Sequence, residues 1–274
     1  MMTGTLYIVA TPIGHLQDIS YRMLTVLREA DFIAAEDTRV SQKIKKLAGS
    51  RAQLISHHKF NESKNEPGIL RHLKEGKNVA LITDAGTPCI CDPGYRLVQA
   101  SYSAGITVTP IPGPSSVTAA CSVSGFACSR FVFLGYLPRK PKEIRELFSQ
   151  FGDVSGPFVF YESPQRLENS IEILRDLFSS ETELCLCKEI TKKFETLFRG
   201  PIAEVLLKLK TTHPIRGEWT GVLEKKTDSL MEKSFQPKSL EEISRFFSIP
   251  RSKASKILSL LSGQSRQEIY KNAT

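Results

Sequence analysis

The chain has 274 residues, 41% of them hydrophobic, which is enough for one large or two smaller α/β domains with buried cores. No apolar run reaches the roughly 18 residues that a membrane span needs, and the start, MMTGTLYIVATPIG, lacks the basic flank and cleavage site of a secretory signal. We therefore expect a cytoplasmic protein.

The formal net charge is +8, and residues 233–274 alone hold eight Lys or Arg against three acidic residues. Such a tail suits a polyanionic partner, although a merely soluble basic surface explains the charge equally well.

The six cysteines form two C-x-C pairs and no C-x-x-C motif. This spacing matches neither a zinc ribbon nor a thioredoxin-type site. Both pairs, in CICDPG and ELCLCKEI, stand in apolar runs that are typical of strands, where a reduced thiol behaves as a small hydrophobe. We therefore predict no metal site.

Apolar, β-rich runs alternate with amphipathic stretches along the chain, which predicts α/β architecture. The predicted strands, in chain order, are LYIVAT, DFIAAED, AQLISHH, NVALITDAG, ITVTPIPG, RFVFLGYLP, PFVFYES, ELCLCKEI and GEWTGVLEK. The helical patterns between them include Ser20 to Ala30, Thr38 to Leu47, Glu66 to Glu75 and Gln165 to Phe178. No internal repeat is evident.

The distribution of turns and strands along the chain predicts a domain boundary near Ser122. Residues 1–121 would form an N-terminal α/β domain, 122–226 a C-terminal α/β domain, 227–234 a polar linker and 235–274 a small, basic helical tail. In that tail two S-x-x-E capping boxes, at 239–242 and 265–268, flank helical patterns that Pro250 separates. The pair of helices resembles a helix-turn-helix, and a small structural cap is an equal alternative.

Three Pro- and Gly-containing turns directly follow predicted strands, at 11–14, 84–88 and 112–115. In an open α/β sheet, ligands bind outside the carboxyl ends of the strands, where glycine lets the backbone approach and proline fixes the turn. Each turn alone is weak evidence, because such turns end many strands, but together they favour a ligand site. Neither the dinucleotide fingerprint nor the P-loop occurs. The string ITDAGTP looks like a phosphatase aspartate loop but lacks a second aspartate two positions after Asp84.

Eight strings resemble, in the same order, those of the ribosomal RNA small subunit methyltransferase I family in the tetrapyrrole methylase superfamily. They run from about residue 4 to 226 and are LYIVATPIGHLQDIS, AAEDTR, LITDAGTPCICDPG, IPGPSS, LGYLPRK, FYESPQR, KEITKKFETLFRG and RGEW. The later RSKASKILSLLSGQSRQEIY resembles the C-terminal segment of that family. Eight ordered motifs are far more specific than any one of them.

The resemblance implies a two-domain α/β methyltransferase that works as a homodimer and binds S-adenosylmethionine in the cleft between its domains. Its implied substrate is the 2′-hydroxyl of a cytidine in the decoding region of small-subunit (16S) ribosomal RNA. Carried over position by position, the donor-binding residues would be Pro12, Gly14, Asp84, Ala85, Gly86, Thr87, Pro88, Pro112, Gly113, Pro114, Ser115 and Ser116, with Asp92, Pro93 and Gly94 as neighbours.

Two positions depart from the family pattern. His15 stands where asparagine is expected, and Gln165 stands where histidine is expected. A family that usually lacks histidine at the first position cannot depend on it as a catalytic base. We therefore do not assign that role to His15.

The sulfonium of the donor already activates its methyl group, so transfer depends chiefly on an in-line nucleophile. A lysine, a carboxylate or water could accept the proton of the ribose hydroxyl, and the sequence does not choose among them. Glu36 and Asp37, directly after a strand, are the catalytic candidates. The candidates for contact with RNA are Arg39, Arg139, Lys140, Glu162 and Arg166. For each of these residues the alternative is a structural ion pair or a solvated turn. Similarly, Glu189 and Lys193 would form an i, i+4 salt bridge if their segment were helical.

Two other functions remain open. Methylation of a tetrapyrrole precursor is the nearest rival, because the fold of this superfamily does not fix the substrate. The basic tail and the LPRK loop argue against a tetrapyrrole substrate. A ribosome-assembly factor that binds the donor without turning it over belongs to a different class.

Overall fold

The computed structural model describes residues 3–152, 154–212, 214–226, 244 and 250–262. The chain separates into two compact units, Met1–Thr227 and Asp228–Thr274. Two five-stranded sheets, with helices packed on them, make up the described part of the first unit. This arrangement confirms the predicted α/β class.

The first sheet is parallel throughout and has the strand order β3-β2-β4-β1-β5. Its strands are β1 (Thr5–Val9), β2 (Phe32–Ala35), β3 (Gln53–Ser56), β4 (Val79–Ile82) and β5 (Thr107–Ile111). The helices between them are α1 (Tyr21–Glu29), α2 (Thr38–Leu47), α3 (Glu62–Lys74) and α4 (Tyr95–Ser103), and a short 3-10 helix (Leu16–Asp18) precedes α1. Because the strands are parallel, their carboxyl ends all lie at one edge of the sheet.

Both faces of this sheet are covered by helices. All four residues of the central strand β4 are buried, as expected for a strand between two helical layers. On one face α1 buries Met23 and Leu27, and on the other α3 buries Ile69 and Leu73. The α2 helix packs on the same face as α1.

The helix boundaries follow the sequence closely, with one difference. The α1 helix begins after Ser20, whose Oγ accepts a hydrogen bond from the backbone N–H of Met23, and α2 has the predicted bounds. The α3 helix, by contrast, begins at Glu62 rather than at Glu66. Its first residues, ESKN, carry no apolar periodicity, and Pro67 favours a helix start at that point, so the pattern places the start one turn too late.

The second sheet has the order β6-β7-β10-β8-β9; β6 and β7 are parallel, and the remaining pairs are antiparallel. Its strands are β6 (Val132–Tyr136), β7 (Gly156–Glu162), β8 (Glu183–Lys188), β9 (Thr196–Pro201) and β10 (Trp219–Lys225). The helices are α5 (Ser116–Ser124), α6 (Pro141–Ser149), α7 (Pro164–Leu177) and α8 (Ile202–Lys210). The edge strand β9 is not among the predicted strands, because its residues, three exposed and three half-buried, show no regular alternation.

The α5 helix lies between the two sheets in the chain and packs on the second one. Val117, Ala120 and Cys121 form a buried cluster with Cys185 and Cys187 of β8. The predicted boundary at Ser122 falls inside this helix, and the division into 1–121 and 122–226 stays a prediction. All six cysteines are free thiols, which agrees with the hydrophobic role expected for the pair in β8.

The second unit contributes α9 (Arg251–Ser262), which follows Pro250 as predicted. The backbone N–H groups of Lys253 and Ala254 donate to the carbonyl of Pro250. The predicted linker, both capping boxes and, apart from Ser244, the helical pattern before Pro250 lie outside the described residues. No helix in the described part of the chain is long and apolar enough to cross a membrane.

Candidate active site

The three turns predicted to face a ligand lie together at the carboxyl edge of the first sheet. Thr11 and Gly86 exchange two backbone hydrogen bonds of 2.9 and 3.1 Å, which join the first turn to the second. The backbone N–H of Ala10 donates to the carbonyl of Ile111 at 3.1 Å and so joins the exits of β1 and β5. The three turns are neighbours because β1 lies between β4 and β5.

A cavity of about 480 Å³ opens beside these turns. Its walls come from both halves of the first unit, and most residues of the second wall lie in strings that carry the family resemblance but do not by themselves mark a ligand site. The first half contributes Ile13, Glu36, Thr83, Asp84, Ala85, Gly86, Thr87, Ile90, Cys91, Asp92, Ser115 and Ser116. The second contributes Tyr136, Tyr161, Glu162, Ser163, Pro164, Cys187, Ile190, Gly217, Glu218, Trp219 and Thr220.

The predicted donor residues divide into two groups. The residues that line the cavity are Asp84, Ala85, Gly86, Thr87, Ser115 and Ser116. The residues that lie in the same turns without lining it are Pro12, Gly14, Pro88, Pro112, Gly113 and Pro114. Contact of either group with a donor stays a prediction.

At two glycines of these turns, an added Cβ atom would meet different neighbours. Gly86 has φ +85°, and a Cβ atom there would lie 3.5 Å from Cγ2 of Ile13, which lines the cavity. A Cβ atom at Gly113 would instead lie 3.0 Å from the Cβ of Ala10. The absence of a side chain at Gly113 therefore lets the end of β5 pack against the end of β1.

Three acidic side chains, Glu36, Asp84 and Asp92, lie together in the cavity wall, and two of them share the hydroxyl group of Thr83. Thr83 Oγ1 lies 2.7 Å from Oε2 of Glu36 and 2.9 Å from Oδ2 of Asp92. A hydroxyl has one proton, so it donates to one carboxylate and accepts from the other only if that carboxyl is protonated. Burial raises the pKa of Asp92 to about 6, and the negative charges of Glu36 and Asp84 act in the same direction. Burial also raises the pKa of Asp84. The cluster therefore retains a proton at mildly acidic pH.

Asp37 is engaged differently from Glu36. It is the N-cap of α2, where Oδ1 accepts from the backbone N–H of Arg39 at 2.8 Å, and its Oδ2 lies 2.6 Å from Nη2 of the same arginine. The side-chain hydrogen bond from Arg39 holds the pKa of Asp37 at about 2. The backbone N–H of Asp37 donates to Oδ1 of Asp84 at 3.1 Å. Asp37 thus caps the helix and pairs with Arg39, while Glu36 lines the cavity.

Glu162 and Arg166 form a buried network. The carboxylate of Glu162, fully buried, accepts from the backbone N–H of Ser163 at 2.6 Å and from the hydroxyl of Ser170 at 2.7 Å. Arg166 pairs with it at 2.5 Å and also donates from Nη1 to the carbonyl of Leu137 at 3.1 Å. These contacts occupy Glu162 inside the protein and tie Arg166 to the segment that follows β6.

That segment carries the remaining basic candidates. Leu137 is buried, and its backbone N–H donates to the carbonyl of Tyr161 at 3.3 Å, so both of its backbone groups are bonded. Directly before it, Tyr136 lines the cavity. Arg139 and Lys140 follow in solvent, and Lys140 pairs with Glu143 at 3.1 Å. The LPRK loop is therefore anchored at Leu137 and exposed beyond it.

Four non-glycine residues of the described chain have positive φ, and all stand in or beside the cavity wall. Cys89 and Cys91 flank the cavity residue Ile90, and Glu189 and Thr191 flank the cavity residue Ile190. Each such residue costs about 1 kcal/mol or more, and such strain concentrates at functional sites. The expectation that Cys89 and Cys91 belong to a strand is wrong, because their segment turns to present Ile90.

The segment after β8 is also not a helix. Glu189 has φ +51°, and its carboxylate pairs with Nζ of Lys192 at 2.9 Å. The predicted i, i+4 pair of Glu189 with Lys193 is therefore wrong, because the helix that it required does not form. Lys192 also pairs with Glu218 at 3.1 Å, which joins this segment to the start of β10.

The two departures from the family pattern have different outcomes. Nδ1 of His15 accepts a hydrogen bond from the backbone N–H of Gln17 at 3.2 Å and so caps the short 3-10 helix. Asparagine is a preferred residue in that position, so His15 preserves the capping function. No hydrogen bond with the described residues explains Gln165.

The sequence profile described as Tetrapyrrole (Corrin/Porphyrin) Methylases matches residues 5–206. The chain belongs to the tetrapyrrole methylase family. It is 38% identical over 270 residues to Ribosomal RNA small subunit methyltransferase I of Neisseria meningitidis serogroup A, covering 97% of this chain and 92% of the relative. The protein of the same name from Pseudomonas aeruginosa is 42% identical over 205 residues, 75% of this chain and 73% of the relative. These matches confirm the resemblance.

A solved tetrapyrrole methylase shares the fold. The uroporphyrin-III-C-methyltransferase from Thermus thermophilus superposes with a TM-score of 0.58 at 20% identity, over 81% of this chain and 94% of that one. Membership in the family makes the protein a methyltransferase with S-adenosylmethionine as its methyl donor, as predicted. In the described residues, no group of three or more His, Cys, Asp or Glu is arranged to hold a metal ion.

The cavity suits this donor. Its carboxyl groups at Glu36, Asp84 and Asp92 complement a sulfonium cation, and the flanking Ile90 and Ile190 offer apolar contact. When bound, the donor supplies an electrophilic methyl group. In this cavity the carboxyl groups would place a negative field around that cation.

The titration of Asp92 predicts a pH-dependent affinity for the donor. Below pH 6 the carboxyl of Asp92 is protonated and neutral, and above it the carboxylate attracts the permanently charged sulfonium. We expect donor affinity to rise about threefold to tenfold between about pH 5 and pH 7. Calorimetric titration across this range tests it. Asp92→Asn, which keeps the shape of the side chain, should flatten the profile, whereas a flat wild-type profile would contradict the prediction.

Proposed function

We propose that the protein transfers the methyl group of S-adenosylmethionine to the 2′-hydroxyl of a cytidine ribose in the decoding region of small-subunit ribosomal RNA. The observation that carries this proposal is the similarity to Ribosomal RNA small subunit methyltransferase I along 97% of the chain, including the basic C-terminal segment. The tetrapyrrole methyltransferase of Thermus thermophilus shares the fold at only 20% identity. The surplus of basic residues in the tail also favours RNA over a tetrapyrrole.

Within the site, we propose that the cavity wall formed by 84–87, 115 and 116 binds the donor. The C–S bond of the donor breaks as the ribose oxygen forms its bond to the methyl carbon, and the hydroxyl proton passes to a base. Glu36 is better placed for that role than Asp37, because it lines the cavity whereas Asp37 is paired with Arg39. The buried turns at Pro12 and Pro88 would support this wall from behind.

On the RNA side, we propose that Arg139 and Lys140 contact phosphates. Both are exposed, and they follow Tyr136, which lines the cavity, by three and four residues. Arg166 would act on RNA only indirectly, through the carbonyl of Leu137, and Glu162 would hold Arg166 in place. Arg39, 89% exposed at the start of α2, remains available for a direct contact.

We further propose that the protein acts in the cytoplasm as a homodimer. Light scattering at micromolar concentration tests the assembly, and a mass of one chain would contradict it.

The experiment that separates the candidate functions is transfer of a tritiated methyl group from the donor. Small ribosomal subunits from cells that lack the protein should accept the label, whereas subunits from cells that contain it should not. Labelling of a tetrapyrrole precursor instead would support the rival enzyme. Donor binding without labelling of either substrate would support an assembly factor.

A further inference from the structure

The α2 helix carries an unusual concentration of positive charge. Its ten residues, TRVSQKIKKL, include four basic and no acidic side chains. Arg39, Lys43 and Lys46 are exposed and spaced i, i+4 and i+7, so they form a stripe along one face of the helix. Ser41, on the opposite side, is buried.

The helix dipole does not account for this stripe. Cations are favoured in the last turn of a helix, which explains Lys46, but they are disfavoured in the first turn, where Arg39 lies. Arg39 is paired with Asp37, whereas Lys43 and Lys46 make no ion pair with any described residue. The charges of Lys43 and Lys46 are therefore available to a partner.

The stripe begins at the rim of the cavity. Glu36, two residues before α2, lines the cavity, and the backbone N–H of the N-cap Asp37 donates to the cavity residue Asp84 at 3.1 Å. From Arg39 to Lys46 the helix axis advances about 10 Å. A polyanion bound along α2 would therefore lead directly to the proposed reaction site.

An exposed aromatic ring lies at the same edge of the sheet. Phe60 follows β3, the parallel neighbour of β2, and is 93% exposed beside the exposed Lys59. Its loop is held by hydrogen bonds: Asn61 accepts from the backbone N–H of His58 at 2.8 Å and donates to Oγ of Ser56 at 2.9 Å. An ordered loop thus holds an uncovered ring in solvent.

We propose that Arg39, Lys43, Lys46, Lys59 and Phe60, the α2 surface, bind a single-stranded segment of the RNA substrate next to its acceptor ribose. Basic side chains that follow a backbone and an aromatic ring on which a base stacks are the combination that single-stranded nucleic acid requires. An acidic protein would match the charges but would give no role to the ring. This inference rests on the proposed function for the identity of the substrate.

The test measures binding of a fluorescent, short single-stranded RNA by anisotropy at several salt concentrations, without donor. Lys43→Gln with Lys46→Gln keeps helix propensity and should reduce the salt slope by about 1.4, or about 0.7 for each lost phosphate contact. The matched control is Arg71→Gln with Lys74→Gln, which removes the same charge from exposed positions of α3 on the opposite face of the sheet. Equal slopes for the two double variants would overturn the proposal.

The aromatic ring has its own test. Phe60→Ala should weaken binding of the same RNA about fivefold or more with little change in salt slope, because stacking is not electrostatic. Tyr102→Ala, which removes an exposed ring of α4, should leave binding unchanged. Equal affinities for the two variants would overturn the role of the ring.

Binding to small ribosomal subunits, measured beside binding to free RNA, distinguishes an RNA partner from a protein partner. If the α2 variants bind the free RNA normally but bind subunits weakly, the surface recognises a ribosomal protein and the proposal is overturned. Because anisotropy is measured without methyl transfer, failure of the α2 surface is distinguishable from failure of the proposed function, which the tritium experiment detects separately.

Discussion

Gly86→Val is expected to reduce donor affinity at least about a hundredfold in a protein that still folds. Gly86 is buried at φ +85°, and its missing Cβ would point towards Ile13 in the cavity wall. A valine there would cost about 1 to 2 kcal/mol in backbone strain and would fill space beside the proposed donor site. Calorimetric titration with S-adenosylmethionine measures the loss, and circular dichroism confirms the fold.

The matched control is Gly105→Val. Gly105 also has positive φ, +68°, but it lies in an exposed turn between α4 and β5, where a Cβ atom would meet no other atom within 4 Å. The two variants should lose similar stability, and only Gly86→Val should lose the donor. Wild-type affinity in folded Gly86→Val would contradict the placement of the donor beside this turn.

Arg166→Ala should lower the free energy of unfolding by about 3 to 5 kcal/mol, because it leaves the buried carboxylate of Glu162 without its cation. For a chain of this size the melting temperature should fall by about 10 °C. The variant also frees the carbonyl of Leu137, so RNA binding through Arg139 and Lys140 should weaken while donor affinity changes little. Denaturant unfolding and separate titrations with RNA and donor measure these effects.

Arg175→Ala is the control on the same helix. Arg175 pairs with the adjacent Asp176 near the surface, and exposed pairs of this kind contribute about 0 to 1 kcal/mol. If Arg166→Ala were no less stable than Arg175→Ala, the buried network would not be the anchor of the LPRK loop. Normal RNA affinity in a destabilised Arg166→Ala would limit its role to stability.

The first half of the site could be predicted because its signals are local. Strand patterns followed directly by Pro and Gly turns place 11–14, 84–88 and 112–115 at the carboxyl ends of parallel strands, and these turns do lie together. The second wall could not be predicted in this way. Tyr136, Ile190 and Trp219 come from three separate segments of the second sheet and its loops, and only tertiary structure brings them to one cavity.

Other differences have equally physical causes. The strained turns around Ile90 and Ile190 require left-handed backbone at cysteine, glutamate and threonine, which no propensity rule favours. The turn pattern assigns Gly113 to the close approach of a ligand, which stays a prediction, and the structure adds that a Cβ atom there would lie 3.0 Å from the Cβ of Ala10. In both cases the sequence marks an important position, and the packing of the folded chain decides its purpose.

Alkaline hydrolysis of labelled RNA tests methylation of a ribose most directly. Alkali cleaves RNA by attack of the 2′-hydroxyl on the adjacent phosphate, so a 2′-O-methyl group protects the following bond. After transfer of tritiated methyl groups to unmodified small subunits, the label should appear in an alkali-resistant dinucleotide whose first residue is cytidine. Label in mononucleotides would place the methyl group on a base, and that result, or the absence of label from RNA, would contradict the proposed function.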